Sequence, residues 1–333
     1  MQSTSPIVEV RIPTYNRPAL LRRAPNALLA QTYTNWRAVI LDDGDAARQI
    51  VNDLGDDRLV YSPNPVRLGP DFNIIRAFSR QPMACGEFFY VLEDDNLIVS
   101  TFIEENLGWL SQHDVGLVIN NQWVEIPRGD PAVVAPVHNN RTTIDCFTEG
   151  VWSADDFKVA MLWRMPISNG AIFWRRDCRS VFTVEDRYDP ALHEWLRAYR
   201  ITDSIYFNDT PNAFWYPTPE DRPRSFLSGM PVFLMRARAV MAMRRNILAG
   251  LQRRGQIERV LSERYKTPLV IREEGVLKAL GRWPGASRLS LRRRAELLGK
   301  ALVLRSIVRP FRFPLDGTEN ALAADDGPIA AML

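Results

Sequence analysis

Three strand-like runs in the first hundred residues each stop at a cluster of polar side chains, and a helix-forming stretch follows each one. Ile7-Val8-Glu9-Val10-Arg11-Ile12 runs into Pro13-Thr14-Tyr15-Asn16-Arg17-Pro18. Trp36 to Leu41 runs into Asp42-Asp43-Gly44, and Glu87 to Leu92 runs into Glu93-Asp94-Asp95-Asn96. Alternation of short apolar runs with helical patterns at this spacing specifies an α/β layer with a mainly parallel sheet. In such sheets ligands bind beyond the carboxyl ends of the strands, where all three clusters fall.

The intervening elements follow the same rule. Helical patterns cover the stretch up to about Gln31 (with Pro25 limiting where it begins), Ala46–Leu54, Asp71–Ser79 and Thr101–Gln112. Arg58–Ser62 and Val115–Asn120 read as strands, and Ile167–Trp174 reads as a buried strand with Gly170 inside it. Pro190–Arg200 reads as a helix, and Asp203–Phe207 and Phe214–Pro217 read as extended. The expected organisation is an α/β domain over 1–229, in two parts (1–110 and 111–229). A basic helical extension would cover 230–315 and a tail 316–333.

Charge separates these parts. Residues 230–312 carry 20 Lys/Arg against 5 Asp/Glu, whereas the 333-residue chain as a whole has a net charge of only +3. A basic amphipathic helix can lie on an anionic membrane. It can equally pack on the preceding α/β domain or pair with a second subunit as a homo-oligomer. Nucleic acid is not expected as a partner, because no recognition motif accompanies the basic residues. Neither a leader peptide nor a run of 18 apolar residues is evident. Cys85, Cys146 and Cys178 are too widely spaced to suggest a metal pair or a disulfide framework, which favours a cytoplasmic setting. His113, His138 and His193 show no ligand spacing.

The cluster Glu93-Asp94-Asp95 packs three carboxylates at one strand end, which is unfavourable unless something positive sits there. A hard divalent cation with oxygen ligands, holding a phosphate group in turn, is the natural candidate; a solvated acidic turn is the alternative. Thr14, Tyr15, Asn16 and Arg17 offer donors and a stacking ring to a nucleotide. Asp43 could accept a hydrogen bond from a base or ribose. Trp123, Trp152 and Trp215 could stack on sugars or simply fill a core.

These motifs resemble the family 2 glycosyltransferases of GT-A fold. The resemblance rests on Ile12-Pro13-Thr14-Tyr15-Asn16-Arg17, Ala30-Gln31-Thr32-Tyr33, Val39-Ile40-Leu41-Asp42-Asp43-Gly44, Gly86-Glu87 and Glu93-Asp94-Asp95. It is specific over 7–110, weaker to about 228 and absent beyond. It implies an inverting, metal-dependent transferase (Mg²⁺ or Mn²⁺) that moves a sugar from a nucleotide-diphosphate sugar donor to a glycan, lipid-linked or other glycoconjugate acceptor. The donor set would be Pro13, Thr14, Tyr15, Asn16, Arg17, Asp42, Asp43, Arg67 and Asp94. Asp95 would be the chief metal ligand, with Glu93 beside it. The chain departs from the pattern at Glu93, where Asp is commoner, and at Asp45, where Ser is usual. Inversion needs a base on the acceptor side. The stretch Tyr199–Phe207, followed by Phe214-Trp215-Tyr216-Pro217, resembles the base region of a spore-coat polysaccharide glycosyltransferase in that family. This ranks Asp203 first; Glu194 comes second and Asp189 is a third candidate. A nucleotidyltransferase would show a glycine-rich loop after the first strand, which Pro13–Pro18 lacks. A non-catalytic sugar-nucleotide-binding protein of the same fold is the alternative.

Overall fold

The computed structural model describes residues 5–127, 135–144, 147–160, 167–183 and 190–217, with isolated positions at 247, 290–292 and 295. The chain divides into two compact units, Met1–Lys158 with Met165–Pro219, and Val159–Arg164 with Glu220–Leu333. Apart from those isolated positions, the basic stretch 230–312 lies outside the described residues, as does the candidate Asp189. Among the described residues no helix is long and apolar enough to cross a membrane.

The first unit opens with strand β1 (Val8–Thr14) and two short helices, α1 (Pro18–Leu21) and α2 (Arg23–Leu29). Pro18 sits at the start of α1, where its missing N–H costs nothing. Then come β2 (Trp36–Asp42), α3 (Ala47–Leu54), β3 (Leu59–Pro63), α4 (Pro70–Ala77), β4 (Phe88–Val91), β5 (Leu97–Ile98) and α5 (Phe102–Gln112). The second half supplies β6 (Leu117–Glu125), β7 (His138–Thr142), β8 (Gly150–Trp152), α6 (Ala154–Ala160), β9 (Ile172–Arg175), α7 (Pro190–Tyr199) and β10 (Ile205–Trp215).

The strands form one sheet in the order β3-β2-β1-β4-β9-β6-β10-β5, with β7 pairing β6 and β8 pairing β10. β3, β2, β1 and β4 are mutually parallel, and β6 and β10 are parallel to each other. β9 runs antiparallel between β4 and β6, making the sheet mixed. Part of the stretch expected as one strand over 167–174 is instead a 3₁₀ turn at Asn169–Ala171, and the strand starts only at Ile172. The two extended pieces expected at 203–207 and 214–217 are a single strand with a register shift between Asn208 and Ala213.

β1 is buried along its whole length, as expected for a central strand covered on both faces. Its alternating residues Glu9 and Arg11 are therefore buried too, and they form an ion pair at 2.8 Å. The pair also ties down the loop that leads into β4. Glu9 accepts the N–H groups of Met83, Ala84 and Gly86, while Arg11 donates to the carbonyls of Ala77, Ser79 and Gln81. The guanidinium also lies 4.6 Å from the Phe89 ring centroid.

Candidate functional site

The carboxyl ends of β2, β1 and β4 lie side by side, and the three polar clusters meet there. Asn73 on α4 holds the edge together, its buried side-chain amide donating to the carbonyls of Leu41 (2.9 Å) and Thr14 (3.3 Å). Pro13, paired in register with Leu41, is a strand residue facing no open space.

Asp42 and Asp43 have different tasks. Asp42 is wholly buried; it accepts the N–H groups of Gly44 (3.0 Å) and Ala47 (3.2 Å) and the Tyr61 hydroxyl (3.2 Å). Both oxygens of Asp42, expected in the donor set, are thus engaged by the turn into α3 and by Tyr61. Asp43 accepts Leu68 N–H (2.6 Å), Gly69 N–H (2.7 Å) and the Asn64 amide (2.7 Å), which fixes the loop 64–69. Arg67 on this loop stacks over Tyr15, 4.2 Å from the ring centroid. A cavity of about 500 Å³ is lined by Arg67, Leu68, Gly69, Asp71 and Phe72. Asn16 takes a left-handed conformation with φ 49°, which Asn tolerates, and its side-chain oxygen faces Asp45 N–H at 3.4 Å.

The acidic cluster splits by direction. Asp94 and Asp95 face the β1 loop. Thr14 Oγ1 donates to Asp94 Oδ2 at 2.7 Å, Arg17 Nη2 meets Asp94 Oδ1 at 2.5 Å, and Arg17 Nη1 meets Asp95 Oδ2 at 3.0 Å. Glu93 turns toward the second half, accepting from the Asn169 amide (3.2 Å) and the Asn96 amide (3.1 Å). Burial and the neighbouring Asp95 and Glu194 charges push the Glu93 carboxyl up to about 8. Burial and Asp95 push Asp94 up to about 7 despite Arg17. Arg23 on α2 supports the cluster from below. It donates to the Asp95 carbonyl at 3.0 Å and pairs with Glu125 at 2.6 Å, with both side chains buried.

On the second-half side, the Asn169 N–H donates to Glu194 Oε1 at 3.3 Å, and Asn169 Oδ1 accepts from Arg197 Nη2 at 2.5 Å. Arg197 is fully buried over the Phe78 ring, and burial brings it down to about 10 even beside Glu194, Glu93 and Asp71. Glu194, Asn169 and Glu93 thus form one connected group. Gly170 leaves room for it: a Cβ there would come within 3.2 Å of the Gln122 amide and 3.4 Å of the Asn96 amide.

Asp203 is not part of this group. Residue Ile205 is level with Leu117, which is level with Trp174 and so with Phe89. Asp203 therefore lies at the amino end of β4, whereas Glu93 lies at its carboxyl end, roughly 20 Å away at 3.3 Å per residue. Asp203 holds the Ser180 N–H (2.7 Å) and hydroxyl (2.6 Å) and the Cys178 thiol (3.2 Å). These bonds outweigh burial and leave its carboxyl below the usual range. The sequence ranks Asp203 first as the base; the structure places it away from the polar edge, held by Ser180 and Cys178. Asp203→Asn is expected to lower unfolding free energy by about 1–3 kcal/mol while leaving ligand affinity at the polar edge unchanged. Urea titration and calorimetry would check both.

Of the tryptophans, Trp152 is core and donates to the Thr148 carbonyl at 2.9 Å, while Trp123 stacks on His138 with ring centroids 4.0 Å apart. Sequence reasoning missed Arg23 and Arg197. The available signal was an arginine on the apolar face of each helix pattern.

The sequence model of the family described as "Glycosyl transferase family 2" matches residues 9–166. The chain is 31% identical over 96 residues to the "Putative colanic acid biosynthesis glycosyl transferase WcaA" of Escherichia coli (strain K12), covering 28% of this chain and 33% of that protein. It is 30% identical over 112 residues to the "Uncharacterized glycosyltransferase RT0329" of Rickettsia typhi, covering 33% and 34%. The matches therefore span about a third of these relatives' own length. Among solved structures, S. aureus TarS 1–349 in complex with UDP is similar at a TM-score of 0.50 and 16% identity, covering 94% of each chain. Longer S. aureus TarS is similar at a TM-score of 0.50 and 14% identity, covering 92% of this chain and 50% of that one. The shared architecture is the GT-A fold.

Proposed function

We infer that this chain, whose residues 9–166 match the glycosyl transferase family 2 pattern, moves a sugar from a nucleotide diphosphate to a glycan or glycoconjugate acceptor, with inversion. One observation carries the reading: an ordered loop on Asp43 and a charge-crowded carboxylate pair share the carboxyl ends of adjacent parallel strands. That edge is where an α/β sheet holds a nucleotide.

The nucleoside would lie against the loop 64–69, between the Tyr15–Arg67 stack and Asp43. The diphosphate would lie toward Thr14 and Arg17. For the metal, the donor set is oxygen only, and Asp94 is raised by burial and like charge, as suits a hard divalent ion. Among the described residues no group of three His, Cys, Asp or Glu is arranged around one point, so Asp95 and Asp94 would hold the ion and the diphosphate would complete its shell. Glu93, expected as a ligand, points instead at Asn169 and Asn96. The ion, Mg²⁺ or Mn²⁺, supplies positive charge to the leaving diphosphate.

Glu194 takes the role first assigned to Asp203. It lies at the second-half wall, oriented by the Asn169 N–H, and would accept the acceptor hydroxyl's proton as that oxygen attacks the anomeric carbon and the nucleoside diphosphate departs. Its neighbour Arg197 keeps Asn169 in place.

A thermal-shift screen of UDP, GDP and dTDP sugars with and without Mn²⁺ tests the reading. A donor at 100 times its Kd should stabilise by about 2.7 kcal/mol. That gain should require Mn²⁺ and vanish in Asp95→Ala. Donor binding without turnover for any acceptor would instead mark a non-catalytic binding protein. Stabilisation by none of the three would overturn the reading.

A further inference from the structure

The carboxylates that would hold the metal already hold a cation. Arg17 spans them with one nitrogen each, 2.5 Å to Asp94 and 3.0 Å to Asp95. The three groups differ in access: the Arg17 side chain is 34% exposed, while Asp95 is 11% exposed and Asp94 is wholly buried. The guanidinium therefore lies on the solvent side of a buried anionic pair.

Arg17 is also placed to leave. It is the residue before α1, following Asn16 in its left-handed turn, and its own side chain caps nothing. A planar guanidinium on a long stem fits carboxylate and phosphate oxygens equally well, in the same two-pronged geometry. A divalent ion needs several oxygens at 2.0–2.6 Å, and on this edge it would need the two Arg17 now occupies. The two cations therefore compete for Asp94 and Asp95.

We propose that Arg17 is the resident cation of the donor-free site, and that it couples metal entry to donor binding by moving from Asp94 and Asp95 onto the donor's diphosphate. The inference rests on the functional reading above. In the donor-free chain a divalent ion must displace a bound guanidinium and binds weakly. A diphosphate gives that guanidinium a new partner and frees the carboxylates. Metal and donor then strengthen each other's binding, and by linkage the factor is the same in both directions. No bond is made or broken; only ion pairs exchange.

The test uses the full chain stripped of metal and titrated with Mn²⁺ alone, free Mn²⁺ being read by electron paramagnetic resonance. Arg17→Gln should bind Mn²⁺ about tenfold more tightly than wild type, a difference of about 1.4 kcal/mol. Adding UDP or GDP should tighten Mn²⁺ binding in both, because the diphosphate is itself a ligand, but by a factor about tenfold larger in wild type than in Arg17→Gln. Arg17→Lys, whose point charge cannot bridge both carboxylates, should fall between and serves if the glutamine variant folds poorly. Mn²⁺ binding by Arg17→Gln that equals or is weaker than wild type would overturn the coupling while leaving the metal reading intact. Absence of Mn²⁺ binding in every variant, with UDP or GDP present, would overturn the metal reading and the coupling with it.

Discussion

Glu194→Gln is expected to lower sugar transfer by roughly 10²–10⁴-fold, the usual contribution of a positioned base, with donor affinity changed by less than about twofold. The substitution keeps the side chain's length and its acceptor oxygen toward the Asn169 N–H, now 3.3 Å away. What it removes is the ability to take a proton. The donor contacts lie elsewhere, on the Asp43 loop and the Thr14–Arg17 turn, so metal-dependent donor binding should survive. This pattern separates a base from a donor ligand, because Asp95→Ala should lose donor binding and turnover together. Turnover in Glu194→Gln within about threefold of wild type would place the base on another residue.

The second large effect is on stability. Arg11→Met is expected to cost about 3–5 kcal/mol, because it leaves the buried Glu9 charge unpaired. For a unit of this size, that corresponds to a fall in melting temperature of roughly 6–20 °C. Replacing both partners by apolar residues is often neutral for a buried pair, but not here. Glu9 and Arg11 also serve the backbone of the 77–86 loop, and the double variant Glu9→Leu/Arg11→Met strands those N–H and carbonyl groups. The double variant should therefore stay well below wild type in urea unfolding. Wild-type stability in the double variant would show that the loop finds other partners.

The polar edge was legible because polar clusters ended apolar runs, and a strand that stops at such a cluster reveals which of its ends carries ligand chemistry. Register was not legible. Asp203 stands two residues before a strand, and only the pairing of Ile205 with Leu117 shows that this is the far edge of the sheet. In the sequence Glu194 looks like any other helical carboxylate; only the fold shows Asn169 set against it. The burial of Glu9 and Arg11 was hidden for a related reason. Alternation suggests one wet face, yet β1 is covered on both sides, and its charges answer each other and a loop some seventy residues away. The division of labour within Glu93-Asp94-Asp95 was also out of reach. Adjacent side chains leave a strand end in different directions, and one of them faces a wall supplied by the second half.

That wall has a consequence for how the protein is made. Asn96, which fixes Glu93, is itself held by the Tyr216 N–H at 2.9 Å, across 120 residues of chain. β9 must likewise arrive before β4 gains its outer neighbour. During synthesis at roughly 5–20 residues per second, the acidic cluster emerges some 6–24 s before its last fastening. In that interval the nascent chain carries a crowded set of carboxylates on an unfinished sheet edge. A ribosome-bound fragment stopped short of Tyr216 should therefore lack the finished edge, however complete its first 110 residues are.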